Sequence, residues 1–540
     1  MKIKMKQYLI KYAGLFLIIS LFSCTKDFNE INTDPTQTSP QNFNSDYFIS
    51  NSQAQFAKGI SGYEGPILFQ SGWMQIFAMA TTSGDYYANA DKYVASSNTN
   101  DYTGRSWKDL GRAASLANEV IVNYGNNPAK VNSVAVATIM KVLCISYVSD
   151  AYGDVPYSQA FQVSSGITLP VYDKQQELYP HLLSDLEAAV NSIDLSKSAP
   201  AVDVSSLNGD MAKWKRFGYS LMLRMAMRLV KVDANAAKTW AEKAYAGGTL
   251  NSGEDVYFRS DNANGYGNNN INAWLTATDF NQVRWSKTLI DYLKSNADPR
   301  LSAIAEVPQP GVAAANNQDL AGDNTFATQL GLPNGYDIIA SSPSNIANAP
   351  GYPGGTGTGT DLSPIGKYSR PSINVYKNRN LPVYALSYAE SELLLAEAAI
   401  RGWNAGESAA AHYSNAAKAG VLSLNNLKDG VVSDAAATTY ANAHPLDISN
   451  QANALNMINT QYWATTGILL NFSEAWNNWK RTGLPALTPI NYTGNFSGGQ
   501  IPRRQLYPLD EGTSNRANYL NAAENISGGD TWTGKIWWDK

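Results

Sequence analysis

The chain has 540 residues, a net charge of -4 and only 16% charged residues, but 31 tyrosines and 13 tryptophans. An acidic chain without basic blocks argues against nucleic acid as a partner and against electrostatic docking on anionic lipid. His181, His412 and His444 form no HxxxH pair and no CxxC occurs, so no zinc site is expected.

Lys2, Lys4, Lys6 and Lys11 precede an apolar run from Tyr12 to Phe22, and Leu21-Phe22-Ser23-Cys24 follows. A basic start, a short apolar stretch and a small residue before a cysteine read as a lipoprotein signal peptide over residues 1–23. The run is too short to span a bilayer, and no later stretch is expected to reach that length. Cys24 is the expected lipidation site. Several acyl chains on one residue anchor stably, because each buried methylene contributes ~0.8 kcal/mol. Removing residues 1–23 removes four lysines and no acid, which takes the net charge from -4 to -8. Cys144 is then alone, and its setting in Val142-Leu143-Cys144-Ile145 predicts a small buried hydrophobe.

Residues 24–45 are rich in Asn, Thr and Pro and read as a tether. Residues 46–540 read as one mainly α domain, a helix-hairpin scaffold with large irregular loop insertions. Helices are expected near 47–80, 104–124, 130–150, 173–194, 210–231, 234–247, 284–295, 385–402, 406–420 and 452–481. Residues 248–283 and 305–383 are rich in Gly, Asn, Pro and Thr, and 484–540 is irregular. Long loops in a compact domain are often functional. The ligand-binding part is therefore placed at roughly 248–383 plus 81–104.

No catalytic residue is assigned. Gly366-Lys367 is followed by Tyr368 and Asp361 stands where a phosphate loop needs glycine, and HExxH and G-x-S-x-G are absent. A glycosidase needs only two carboxylates, which spacing does not exclude. No cofactor is implied. Asp261-Asn262-Ala263-Asn264 is rich in oxygen but lacks the spacing of a calcium loop.

Arg224 and Arg228 share an apolar helix stripe, as do Glu390 and Glu397. Buried charges must pair, so these four are expected to form an ion network between helices. Trp463, Trp476 and Trp479 are expected in the core. Trp73, Asp85, Tyr86, Tyr87, Tyr93, Tyr102 and Trp107 lie in or beside a Gly/Ser/Asn-rich stretch, and Tyr266, Trp274 and Trp285 flank the second loop region. Flat aromatic faces with nearby amides and carboxylates suit a sugar, whose rings stack and whose hydroxyls need partners. The ligand-binding candidates are Trp73, Asp85, Tyr86, Tyr87, Tyr102 and Trp274, with packing under the loops as the alternative.

Several segments resemble one family. They are CTKDFNEINTDP at 24–35, SDAYGDVPYSQA at 149–160, PVYDKQQELY at 170–179, KWKRFGYSLMLRMAMRL at 213–229, ADPRL at 297–301, YAESELLLAEAAIRGW at 388–403, WNNWKRTGLP at 476–485, IPRRQLYP at 501–508 and the closing KIWWD. Together they resemble the SusD/RagB outer-membrane lipoproteins of the Bacteroidota, in the SusD-like branch. The resemblance implies a fold of tetratricopeptide-like helix pairs with an irregular binding part. It implies a SusC-type, TonB-dependent outer-membrane transporter as partner and an oligosaccharide or peptide as ligand. Lys26-Asp27 after Cys24 resembles the signal that sends such lipoproteins to the cell exterior. The expected role is capture without chemistry. A peptide-binding member, a surface glycosidase and a purely structural partner of the barrel are the other readings.

Overall fold

A computed structural model describes residues 43–62, 65–80, 90–268, 283–308, 320–354 and 367–540. By its contacts the chain divides into Met1–Ser45 and Asp46–Lys540, and every element below belongs to the second unit. The first half is a run of helices: α1 (Asp46–Ser61), α2 (Thr99–Tyr124), α3 (Val131–Tyr152), α4 (Gln175–Ser192), α5 (Met211–Arg228) and α6 (Ala234–Gly247). Each packs on the next in chain order. Local chemistry starts them: the Asp210 carboxylate accepts from the Ala212 and Lys213 amides, and Asp233 from Ala236. A Cβ on Gly218 would lie 2.2 Å from Val190, so glycine lets α5 close on α4. The stretch Pro128–Tyr152 is apolar and long enough to cross a membrane, contrary to the expectation that no later stretch reaches that length, yet 78% of its apolar window is buried inside the protein. Such a helix, apolar all round, suits a core flanked on several sides. Cys144 of α3 is fully buried, and burial pushes its thiol pKa up.

The second half adds α7 (Lys287–Ser295), α8 (Tyr388–Ile400), α9 (Ala409–Leu422), α10 (Asp434–Ala443), α11 (Gln451–Ile468), α12 (Phe472–Thr482) and α13 (Arg516–Asn525). Helix α8 packs on α9 and α11, α9 on α10, and α11 on α12. Ser387 and Glu390 form a reciprocal capping box at the start of α8.

Three expected boundaries differ. The helix expected over 47–80 ends at Ser61, and the chain resumes as a π-helix at Pro66–Gln70, one turn at Ser71–Trp73 and a strand. Pro66 stands at the first position of the new turn, where its missing N–H costs no hydrogen bond. The helix expected over 452–481 breaks at Leu470 (φ 65°), after which Asn471 caps the Glu474 amide. Helix α2 begins at Thr99, so Tyr102 is helical although a loop was expected there. No helix is expected from the sequence at α10 or α13.

Among the described residues, six short strands make three antiparallel pairs. They are β1 (Phe77–Met79) with β3 (Val283–Trp285), β2 (Val256–Phe258) with β6 (Val383–Leu386), and β4 (Ala305–Glu306) with β5 (Arg370–Pro371). The remainder of 248–383 is largely irregular among the described residues, as the Gly/Asn/Pro content predicts.

A buried ionic hub joins the two helix arrays. Arg224 of α5 donates to Glu390 of α8 at 2.8 Å. Arg228 donates to Glu474 of α12 at 2.7 Å and to Asp150 of α3 at 3.2 Å. The Tyr462 hydroxyl of α11 lies 2.8 Å from Glu474 and 3.1 Å from Glu390. Glu397 receives a two-pronged contact from Arg481, both arms at 2.7 Å, and a third from Arg401. Burial pushes the Glu397 carboxyl up, but the Arg481 and Arg401 guanidiniums outweigh it and hold it at about 2. Of the four charges expected to pair among themselves, only Arg224 and Glu390 do so. Arg228 and Glu397 take partners from α3, α12 and the end of α8.

Lys480 closes the hub. It is fully buried, donates to the Asp150 carbonyl, and sits 3.8 Å and 4.9 Å from the ring centres of Trp476 and Trp538. Burial pushes its ammonium down to about 7, against the pull of Asp150 and Asp539. The unfolded chain therefore holds a proton there between pH 7 and its ordinary 10.5 that the folded chain has lost. Stability from this site rises across that window and is lowest below it, by a few kcal/mol in order of magnitude. Urea titrations at pH 6.5, 8 and 9.5 should show a rise that Lys480→Met removes. An equal rise in both proteins would refute the assignment.

Candidate functional site

The site is built on the β1–β3 ladder. Its register pairs Phe77 with Trp285, Ala78 with Arg284 and Met79 with Val283. The chain leaves β1 toward residues 81–89 and enters β3 from residues 269–282. The two segments that carry Asp85, Tyr86, Tyr87 and Trp274 are thus anchored at two residues that face each other. Those four residues lie outside the described residues.

The return from 81–89 is held by a buried pair. Lys92 donates to the Met79 carbonyl at 2.5 Å and lies 3.0 Å from Asp91, and both side chains are fully buried. The same Asp91 carboxylate accepts from the amides of Met79 at 3.4 Å and Gly335 at 3.2 Å. A buried carboxylate so surrounded fixes the backbone around it, because losing any partner leaves charge without solvent.

Beside this anchor lies a small separate core of Ala78, Ala80, Leu332, Ile346, Ala349 and Tyr368. Half-buried Tyr336 and Tyr352 pack against it, and the rings of Tyr352 and Tyr368 are 6.3 Å apart. The loop below is tied by Asp337, which accepts from the hydroxyls of Tyr492 and Ser342, both at 2.6 Å. Backbone bonds from Leu332 to Trp285 and from Lys287 to Leu332 join this loop to β3. Half-buried Tyr336 and Tyr352, with Asp337 and Tyr492 below them, therefore stand where the first candidate segment leaves the fold. Such a set can stack a flat ring and exchange hydrogen bonds with hydroxyls. A loop is expected here, but neither Tyr336 nor Tyr352 is among the candidates the sequence offers. The signal available was a glycine immediately before each tyrosine in a polar loop.

Tyr266 marks a second place. Asp261 and Tyr266 exchange backbone bonds of 2.9 and 2.8 Å around a turn that needs Gly265 at φ 82°. The turn holds Tyr266 53% exposed over a cleft of about 280 Å³ that Gln55, Lys58, Ser61 and Arg259 also line. Asp261 is occupied within the turn, taking the Asn264 amide and side chain. Among the described residues no group of three or more His, Cys, Asp or Glu could hold a metal ion.

The other candidates lie elsewhere. Trp73 is fully buried, with Phe69, Trp476 and Trp532 at ring distances of 6.1, 5.3 and 5.9 Å. It is a packing residue, and its place on the aromatic surface is corrected: a Trp beside Gly72 on a tight turn is drawn inward by the apolar Ile67-Leu68-Phe69 run. Trp73→Ala should lower stability by about 3–5 kcal/mol, measured by urea denaturation. A loss below 1 kcal/mol would contradict that burial. Tyr102 is half-buried on α2 with the Arg105 guanidinium 4.2 Å from its ring centre. Tyr93 and Trp285 are fully buried, and Trp107 is half-buried against Tyr152, Tyr172 and Tyr507.

The sequence matches, over residues 37–508, the model of a SusD-like family described as starch-binding and associating with the outer membrane. No curated protein matches it. Among solved structures, a chitin-binding protein is 28% identical, with a TM-score of 0.74 over 92% of this chain and 100% of its own. A SusD-like protein of the Bacteroidetes is 23% identical, with a TM-score of 0.77 and coverage of 92% and 100%. A chitin-binding SusD homologue from Flavobacterium johnsoniae is 22% identical, with a TM-score of 0.68 and coverage of 91% and 98%. The last two show the fold. The chain belongs to the SusD-like branch of the SusD/RagB family, described as starch-binding and associating with the outer membrane.

Proposed function

We propose that this protein is a lipid-anchored receptor on the outer face of the outer membrane, which captures oligosaccharide and passes it to a SusC-type TonB-dependent transporter. The observation that carries the reading is the shared anchor of the aromatic-bearing segments at Met79 and Val283 in a chain of this family. Two similar structures are named as chitin-binding, so chito-oligosaccharides are the first ligands to try beside starch fragments. Ligand is bound unchanged, and the energy for uptake comes from the transporter side. Cys24 carries the acyl chains, and several chains on one residue give stable anchoring.

The anchor is tested by fractionating cells that express wild type or Cys24→Ala. The wild type should sediment with outer membrane and co-purify with a β-barrel, and the variant should be released. A variant that stays membrane-bound and a wild type free of lipid by mass spectrometry would sink the reading.

A further inference from the structure

The cleft beneath Tyr266 shares no residue with the β1–β3 ladder or its small core, and several of its polar groups lack partners. Ala54, Lys58 and Ser61 recur on α1 at spacings of four and three, so they share one face, with Gln55 beside it. Arg259 and Tyr266 stand on the other wall. The cleft holds about 280 Å³. Ligand pockets run from ~300 to ~1,000 Å³, so this one takes a single unit of a chain and not a whole oligosaccharide.

The side-chain oxygen of Gln55 is buried and accepts no hydrogen bond from a described residue. Buried acceptors are nearly always satisfied, so this one calls for a donor from outside the chain. The hydroxyls of Ser61 and Tyr266 make no hydrogen bond with a described residue either. Arg259 is held by one arm: its Nη1 donates to the Ser205 carbonyl, and its head lies 6.0 Å from the Tyr257 ring centre. Its Nε and Nη2 donors stay unengaged, and it forms no ion pair with a described residue. That edge presents two parallel N–H groups, the geometry that grips a carboxylate or sulfate with two bonds. Lys58 differs, because Asp109 stands 2.9 Å from its ammonium. The chain as a whole is acidic, at net charge -4, so an uncompensated guanidinium in a cleft is a local feature and not a general one.

These groups together select a ligand. An inorganic anion would satisfy Arg259 but leave the Tyr266 ring and the Gln55 oxygen bare. A neutral sugar would cover the ring but leave the guanidinium edge without an acceptor of opposite charge. A sugar that carries a carboxylate or sulfate answers every group: its apolar face covers Tyr266, its hydroxyls donate to Gln55 and pair with Ser61, and its oxyanion takes Arg259. The choice of a sugar over another ring-bearing anion rests on the oligosaccharide reading above; the demand for an oxyanion comes from Arg259.

We infer that the cleft between α1 and the 259–267 turn binds one acidic unit of a glycan, with the sugar ring on Tyr266 and its carboxylate or sulfate held by the Nε–Nη2 edge of Arg259.

The test is calorimetric titration of the full mature protein with trigalacturonate, a chondroitin sulfate disaccharide, chitotriose and adenosine monophosphate. At least one acidic sugar should bind saturably, and which of the two binds decides between carboxylate and sulfate. Arg259→Gln and Tyr266→Ala should each lower that affinity at least tenfold with melting temperature unchanged, since both side chains are exposed. Raising salt from about 50 to about 500 mM should weaken it several-fold, as an ion pair open to solvent requires. The inference is overturned by no binding of either acidic sugar, by full affinity in Arg259→Gln, by equal affinity for adenosine monophosphate, or by displacement of the acidic sugar with chitotriose. Neutral chitohexaose, titrated in parallel, should bind wild type and Arg259→Gln alike. It reports on the receptor reading alone, so failure of the acidic sugars leaves that reading standing.

Discussion

Arg228→Met should destabilise the protein by about 3–5 kcal/mol in urea denaturation. The side chain is fully buried and is the shared partner of Glu474 and Asp150. Methionine fills much of the volume, so the loss comes from two carboxylates left in the interior without their cation and not from a cavity. Glu474 also keeps Tyr462 and a longer contact of 3.6 Å to Arg224, so part of its charge remains balanced. Lys238→Met is the control: Lys238 reaches Glu242 at 3.8 Å with half its side chain in solvent, and such surface pairs contribute about 0–1 kcal/mol. If Arg228→Met and Lys238→Met gave equal losses, the hub would not be what joins the helix arrays. The hub spans α3, α5, α8, α11 and α12, so its loss should also reduce the cooperativity of unfolding.

The second large effect is on binding. Tyr86→Ala and Trp274→Ala should each weaken oligosaccharide affinity about tenfold or more, with melting temperature unchanged, because each removes a ring face worth roughly 1–2 kcal/mol to a stacked sugar. Tyr102→Ala should do much less, since its ring is occupied by Arg105 within α2. Isothermal titration of the three variants with one ligand separates them. Full affinity in the Tyr86 and Trp274 variants would move the site to the Tyr266 cleft.

How far this architecture was legible in the sequence depends on the range of the interactions involved. Helices α2, α4, α5, α6 and α8 follow from local periodicity and α3 from a long apolar run, and local caps start α5, α6 and α8. The Ser387-x-x-Glu390 box is written in adjacent residues, and it starts α8 where expected. The ion hub was half legible. A charge on an apolar stripe announces that it must pair, but the choice of Glu474 for Arg228 is made across 246 positions and no local rule reaches that far. Trp73 shows the converse limit. An aromatic near a polar loop looks exposed until the proline-started turn at 66–73 is known to fold it beneath Trp476 and Trp532. Pairing of Met79 with Val283 was equally hidden, since a three-residue ladder has no signal of its own in so short a run. Tyr336 and Tyr352 are hard to find for a related reason: the glycine before each marks a turn but does not separate a tyrosine on a platform from one packed under it.

Calorimetric titration of the mature protein with chitohexaose, maltoheptaose and capped peptides, followed by chromatography of the ligand after a day at 37 °C, tests capture without chemistry. Saturable binding of an oligosaccharide that is recovered intact is the predicted result. Shortened sugar that depends on a single Asp or Glu, or heat with none of the sugars, would contradict it.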